Sequence, residues 1–170
     1  MAFGGDRVIL LADTSILIDL EHVSSIGVLT KLAPCEILDV VLAECENEKQ
    51  PLIIQHIQDA GITIIDTNRE LAFRANSLRR GGVSTNDMMT VCYARDHERI
   101  VLTGDRPMRE RCAELEVKYR GSFWVTEEAY RRQLLKPSVL LHWLDVWPTV
   151  GRRLPAEELA KLRLMLTSTT

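Results

Sequence analysis

The chain has 170 residues, 46% of them apolar and 26% charged, with a formal net charge of −3. That length and balance fit one domain with a packed core, and argue against a disordered chain or a protein that coats duplex DNA through bulk positive charge. Four widely spaced cysteines (Cys35, Cys45, Cys92, Cys112) form no CxxC pair, so they read as buried thiols in a reducing cytosol rather than a disulfide frame or a zinc site. No apolar run nears the roughly 20 residues that span a bilayer. The start, MAFGGDR, has no apolar signal-peptide core. A cytoplasmic protein with no membrane partner is expected.

RVILLAD is a short apolar run ending in an acid and reads as a buried strand. TSILIDLEH follows as a helix that Thr14 or Ser15 is placed to cap. EILDVV is the second predicted strand, and LAECENEK continues as a polar helical turn. PLIIQHIQDAG is a helix with Pro51 at its start and Gly61 at its stop. ITIID is a third strand. TNRELAFRANSLRRGG is a helix with Leu71, Ala75 and Leu78 on one face and Gly81–Gly82 as its stop. A helix over 87–98 comes next, with Ser84, Thr85 or Asn86 as its cap, and then RIVLT as a fourth strand. DRPMRERCAELE is a helix with Pro107 in its first turn, and VKYR a weak fifth strand. From Thr126 onward the chain reads as helical, broken near Pro137, Pro148 and Pro155.

Alternating strands and helices predict an α/β layer fold with a mainly parallel sheet. In such a sheet the residues just past the strand ends share one edge, where ligands bind. Asp13 ends the first strand, Glu44 lies just past the second, and Asp105 lies just past the fourth. Asp87 starts a helix over 87–98, which advances about 18 Å. The strand over 99–104 returns about 20 Å. The two legs nearly cancel, so Asp87 and Asp105 come back to the same end, beside Asp13 and Glu44.

Four carboxylates on one edge repel unless some are protonated or cations join them. Hard divalent ions with oxygen ligands, Mg²⁺ or Mn²⁺, match that donor set. One or two such ions activate a water and hold a phosphate, which points to phosphodiester hydrolysis. Simpler roles stand beside this one. Asp13, Asp87 and Asp105 each stand where a helix cap is needed. Glu44 sits with Glu46 and Glu48 on what is equally a solvated acidic face. Asp66 also ends a strand; it, Asp19 and Asp39 lack a partner motif and are set aside. Arg79 and Arg80 precede the Gly81–Gly82 turn, and Arg106 adjoins Asp105. Singly these arginines read as solvated helix faces; as a group they are candidates to grip RNA phosphates. Met88, Met89 and Trp124 read as core.

LADTSILIDL, the VVLAE step, STNDMMTVCYA and IVLTGD resemble the four acidic motifs of the PIN domain, with the nearest likeness to VapC-type toxin ribonucleases. The resemblance runs over about 7–125 and leaves 126–170 as a helical C-terminal extension of the same domain. It implies a three-layer α/β/α sandwich around a four- or five-stranded, mainly parallel sheet. It also implies an Mg²⁺- or Mn²⁺-dependent endonuclease acting on RNA. Asp13, Glu44, Asp87 and Asp105 match the four acids, Ser15 the hydroxyl residue that orients the first, and Thr103 the polar residue of the T-x-D step. Asn86 departs from the Ala or apolar residue common before the third acid. The resemblance further implies a cognate antitoxin protein and a homodimer. Two rival readings are a PIN-like binding module without activity and an aspartyl phosphohydrolase. The second needs an acid two residues after Asp13, where Ser15 stands.

Overall fold

A computed structural model describes residues 7–168. Its strands are β1 (Leu10–Ala12), β2 (Cys35–Leu38), β3 (Thr63–Ile65), β4 (Ile100–Leu102) and β5 (Tyr119–Arg120). They form one all-parallel sheet in the order β3-β2-β1-β4-β5. The helices are α1 (Thr14–His22), α2 (Val28–Leu32), α3 (Asp39–Cys45), α4 (Ile53–Asp59), α5 (Arg69–Leu78), α6 (Thr85–His97), α7 (Arg106–Glu114), α8 (Ser122–Arg131), α9 (Pro137–Thr149) and α10 (Ala156–Thr167). Helices flank the sheet, giving the α/β/α sandwich expected from the sequence.

The central strands explain the apolar runs. Leu10, Leu11 and Ala12 pair in register with Ile100, Val101 and Leu102, and all six are buried. A strand covered on both faces by helices has no wet side, so it cannot alternate. Strand order runs outward from β1 through β2 to β3, then restarts on the other side with β4 and β5. The gap above β1 and β4 is therefore the switch point of the sheet. Asp13 follows β1 directly, and Thr103 to Asp105 follow β4 directly.

Several boundaries differ from expectation. The second strand ends at Leu38, and Asp39 opens α3, so Val40 and Val41 are helical. Asp39 turns the chain there: its Oδ1 accepts from the Val40 N–H at 2.7 Å and from the Thr67 hydroxyl at 2.7 Å. Burial is the largest single influence and raises its carboxyl pKa, but the bonds from the Thr67 side chain and the nearby backbone N–H groups together outweigh it and hold the carboxyl below its ordinary value. Pro51 and Leu52 form a turn, and α4 starts at Ile53. The C-terminal helical region begins at Ser122, ahead of Thr126. Pro137 opens α9, Pro148 lies in its last turn, and Pro155 precedes α10. All four cysteines are buried and free.

The last three helices belong to the main core. Leu140, Trp143, Leu144 and Trp147 on α9 are fully buried, and α8 runs straight across residue 125. No helix among the described residues is long and apolar enough to cross a membrane.

Candidate functional site

Asp13 occupies the N-cap position of α1 yet makes no side-chain capping bond. Its Oδ2 instead accepts from the hydroxyls of Ser15 and Thr103, each at 3.0 Å. Both hydroxyls are saturated on the other side. Ser15 Oγ accepts the Gly104 N–H at 2.9 Å, and Thr103 Oγ1 accepts the Asp105 N–H at 3.1 Å. Each hydroxyl has one proton, and each proton goes to Asp13. The β4–α7 turn is thus stitched to the end of β1 through two hydroxyls that fix one carboxylate. The expected cap roles of Thr14 and Ser15 are replaced: Ser15 orients the acid, and Thr14 donates to Glu44 Oε2 at 3.1 Å.

Asp13 is 3% exposed. Burial raises its carboxyl pKa above the ordinary value, the nearby Asp87 charge raises it further, and hydrogen bonds from the Thr103 hydroxyl, the Thr14 backbone N–H and the Ser15 hydroxyl pull it partly back. The Asp87 effect places the first and third acids within electrostatic reach of each other, as the helix–strand arithmetic required. Burial comes first and the Asp13 charge second in pushing the Cys112 thiol up to about 12. The same order of causes pushes Cys45 up to about 12. These neighbouring thiols stay protonated, so the anionic donors along the edge are carboxylates.

The other acids are placed by their own helices. Ser84, not Asp87, is the N-cap of α6. Asp87 closes a capping box: its Oδ2 accepts the Ser84 N–H at 3.0 Å while Ser84 Oγ accepts the Asp87 N–H at 3.1 Å. Ser84→Ala should therefore lower stability by about 1 kcal/mol, read as a lower urea midpoint at unchanged slope. A wild-type midpoint would mean that the box contributes nothing. Asp105 is the N-cap of α7 and accepts from the Met108 N–H at 3.3 Å. Glu44 is exposed, but Asn86 donates to its Oε1 at 2.5 Å and Thr14 reaches its Oε2. Its two partners adjoin Asp87 and Asp13 in sequence. The four acids thus lie along one edge. Among the described residues, however, no three or more His, Cys, Asp or Glu side chains are set to hold a metal ion together. Glu44 and Asp87 are each held by bonds within the chain.

The predicted arginines are at the surface. Arg79, Arg80 and Arg106 are exposed, and Arg106 pairs with Glu110 at 2.9 Å. The turn carrying Gly82 approaches the Pro107 ring, which neighbours Arg106. Asp66 is exposed at the end of β3, an outer strand. Sequence reasoning missed Arg152, whose guanidinium lies against Gly104, and Asp19, the buried acid that pairs with it at 3.0 Å. No local motif marks either, because their meeting depends on how α9 packs on α1.

Comparison with known proteins places this arrangement. A family model of PIN domains, DUF3368, matches residues 9–166. Among solved structures, a PilT N-terminus domain protein, SSO1118 from Sulfolobus solfataricus P2, superposes with a TM-score of 0.55 at 11% identity, covering 73% of this chain and 92% of that one. PAE2754 from Pyrobaculum aerophilum superposes with a TM-score of 0.54 at 15% identity, covering 76% and 94%. A comparison with curated proteins finds no match. At these identities the solved structures speak to fold, and the family match spans the sheet, the acidic edge and the C-terminal helices alike: the chain belongs to the PIN-domain family.

Proposed function

We propose that the protein is a metal-dependent endoribonuclease that hydrolyses RNA phosphodiester bonds at the acidic edge, and that it is the toxin of a toxin–antitoxin pair. The observation that carries the reading is Asp13. It is buried at the switch point, makes no capping bond, is oriented by two hydroxyls and stands in the field of Asp87. An acid kept there for structure alone would cap α1.

The donor chemistry fits Mg²⁺ or Mn²⁺, which prefer hard oxygen ligands. Mg²⁺ usually keeps several waters and takes one or two protein carboxylates with the substrate phosphate, so a closed three-carboxylate cage is not required. Asp13 and Asp105 would hold the ion, with Asp87 and Glu44 joining through oxygens released from their present bonds. When bound, the ion supplies positive charge that offsets the carboxylates and the phosphate. The chain supplies the rest. Ser15 and Thr103 keep Asp13 in one orientation, and the Thr103–Asp105 turn sets the fourth acid beside it. One of the carboxylates would take the proton of the water that attacks phosphorus; the P–O3′ bond breaks and the departing 3′-oxygen takes a proton from solvent, which leaves 5′-phosphate and 3′-hydroxyl ends. Arg79, Arg80 and Arg106 offer phosphate contacts along the rim.

The RNA substrate, the antitoxin and the homodimer rest on the motif resemblance, and the buried free thiols support a cytoplasmic setting. The bonds that occupy Glu44 and Asp87 favour one second reading, a PIN domain that binds without cutting. An aspartyl phosphohydrolase is disfavoured, because Ser15 spends its hydroxyl on Asp13. The test is cleavage of end-labelled RNA with and without Mn²⁺ or Mg²⁺. Cleavage that EDTA abolishes is expected. A melting shift with metal and no cleavage would leave the binding reading in its place.

A further inference from the structure

We propose that Arg152 is the substrate-phosphate clamp of the acidic edge, delivered by the C-terminal helices and locked there by the buried carboxylate of Asp19. The proposal rests on the reading of that edge as an RNA-cleavage site, and it gives residues 126–168 a part in the chemistry rather than a role outside it.

The delivery is built into the end of α9. Gly151 takes φ +88°, a left-handed conformation that favours glycine. Its N–H reaches the Pro148 carbonyl at 3.2 Å, and the Arg152 N–H reaches the Trp147 carbonyl at 3.0 Å. That pair of bonds is a Schellman turn, which folds the chain back over the helix end. Arg152 is thereby carried toward α1, where its Nε lies 3.0 Å from Asp19 Oδ1.

Asp19 is a rigid anchor. It is buried, its Oδ2 accepts from the Ser122 hydroxyl at 2.9 Å, and its backbone carbonyl accepts from Trp147 Nε1 at 2.9 Å. One residue of α1 thus ties down α8, α9 and the arginine together.

The far end of that arginine points to a ligand. A Cβ built on Gly104 would lie 3.1 Å from both Arg152 Cζ and Nη1, and Nη2 is nearer still. Gly104 stands between Thr103 and Asp105, so the guanidinium covers the turn that holds the fourth acid. The side chain keeps 29% exposure. Its Nε is buried against Asp19 in the ion pair, whereas among the described residues no hydrogen bond uses either Nη. A guanidinium presents paired N–H groups that match two phosphate oxygens. An edge of four carboxylates repels a polyanion, and a cation fixed at its margin offsets that repulsion where the scissile phosphate must come. Arg79, Arg80 and Arg106 are exposed and lose more side-chain freedom on gripping a phosphate than an arginine already locked in place.

The test is the equilibrium binding of a labelled single-stranded oligoribonucleotide across a salt series, in EDTA so that no cutting intervenes. Replacing Arg152→Gln together with Asp19→Asn removes the cation without leaving a buried carboxylate unpaired. This double variant is expected to melt near wild type, bind about tenfold more weakly, and lose about one unit of salt slope. Arg152→Lys keeps the charge on Asp19 and removes the fork. It should raise KM for cleavage several-fold with little change in kcat, and it serves as the reference if the double variant folds poorly. Wild-type affinity and slope in the double variant, or wild-type KM in Arg152→Lys, overturn the clamp while the nuclease reading stands. A wild-type protein that neither binds nor cuts RNA overturns both.

Discussion

Replacing Asp13→Asn should reduce RNA cleavage by on the order of 10³-fold and at the same time raise the melting temperature of the metal-free protein at neutral pH. The two effects have one origin. Asp13 is buried next to another carboxylate, so its charged form is costly for folding and useful only to a cation. Its pKa is raised in the folded state, by burial first and Asp87 second. Between the unfolded value and the raised folded value, the native state keeps a proton that the unfolded chain has released. Stability contributed by Asp13 therefore falls as pH rises through that window. Asn carries no charge at any pH and can still accept from Ser15 and Thr103 through its amide oxygen. The stabilisation should be absent in acid, below the ordinary carboxylate pKa of 3.8, and full above the raised value. Thermal melts of parent and variant in EDTA across pH, beside cleavage rates in Mn²⁺, decide it. A variant that cuts at the parental rate removes Asp13 from the chemistry. One that is less stable at neutral pH removes the electrostatic account.

Asp105 separates charge from capping in the same way. Asn is as good an N-cap as Asp, so Asp105→Asn keeps the bond from the Met108 N–H and loses only the negative charge. Asp105→Ala loses both. If activity follows the charge while stability follows the cap, the fourth acid has two roles that can be dissected by substitution.

The parts of this fold that a reader of the sequence can find are those that depend on nearest neighbours in the chain. β1 and β4 announce themselves as apolar runs because a doubly covered strand has no other composition open to it. The return of Asp87 and Asp105 to one edge follows from the rise of a helix and of a strand. Ser84 and Asp87 make a capping box that local spacing allows, although the spacing alone did not select Ser84 over Thr85 or Asn86. The strand reading of Asp39–Val41 failed because β-branched propensity was outweighed by a tertiary contact: Thr67, 28 residues on, bonds the Asp39 carboxylate and turns the chain into α3. Asp19 failed for a related reason. Its sequence neighbours describe a helix face, and only Ser122, Trp147 and Arg152, all remote, turn it into an anchor.

That anchor sets the second large effect. Trp147→Ala should destabilise the protein by about 3–5 kcal/mol, a fall in melting temperature of roughly 10 °C for a domain of this size. Trp147 is fully buried and packs on Trp143 with ring centroids 5.7 Å apart. It also satisfies a backbone group that the helix itself cannot. Asp19 lies in the last turn of α1, where carbonyls have no intrahelical partner, and the indole N–H supplies one at 2.9 Å. The two tryptophans should then separate under the milder change to Phe. Trp143 Nε1 is buried with no hydrogen-bond partner, so Trp143→Phe sheds an unsatisfied donor and loses only packing. Trp147→Phe loses packing and leaves the Asp19 carbonyl orphaned, an added cost of about 1–3 kcal/mol. Urea unfolding of the two Phe variants measures that difference directly. Equal midpoints would mean that the indole bond does not hold α9 to α1, and the platform under Arg152 would then rest on packing alone.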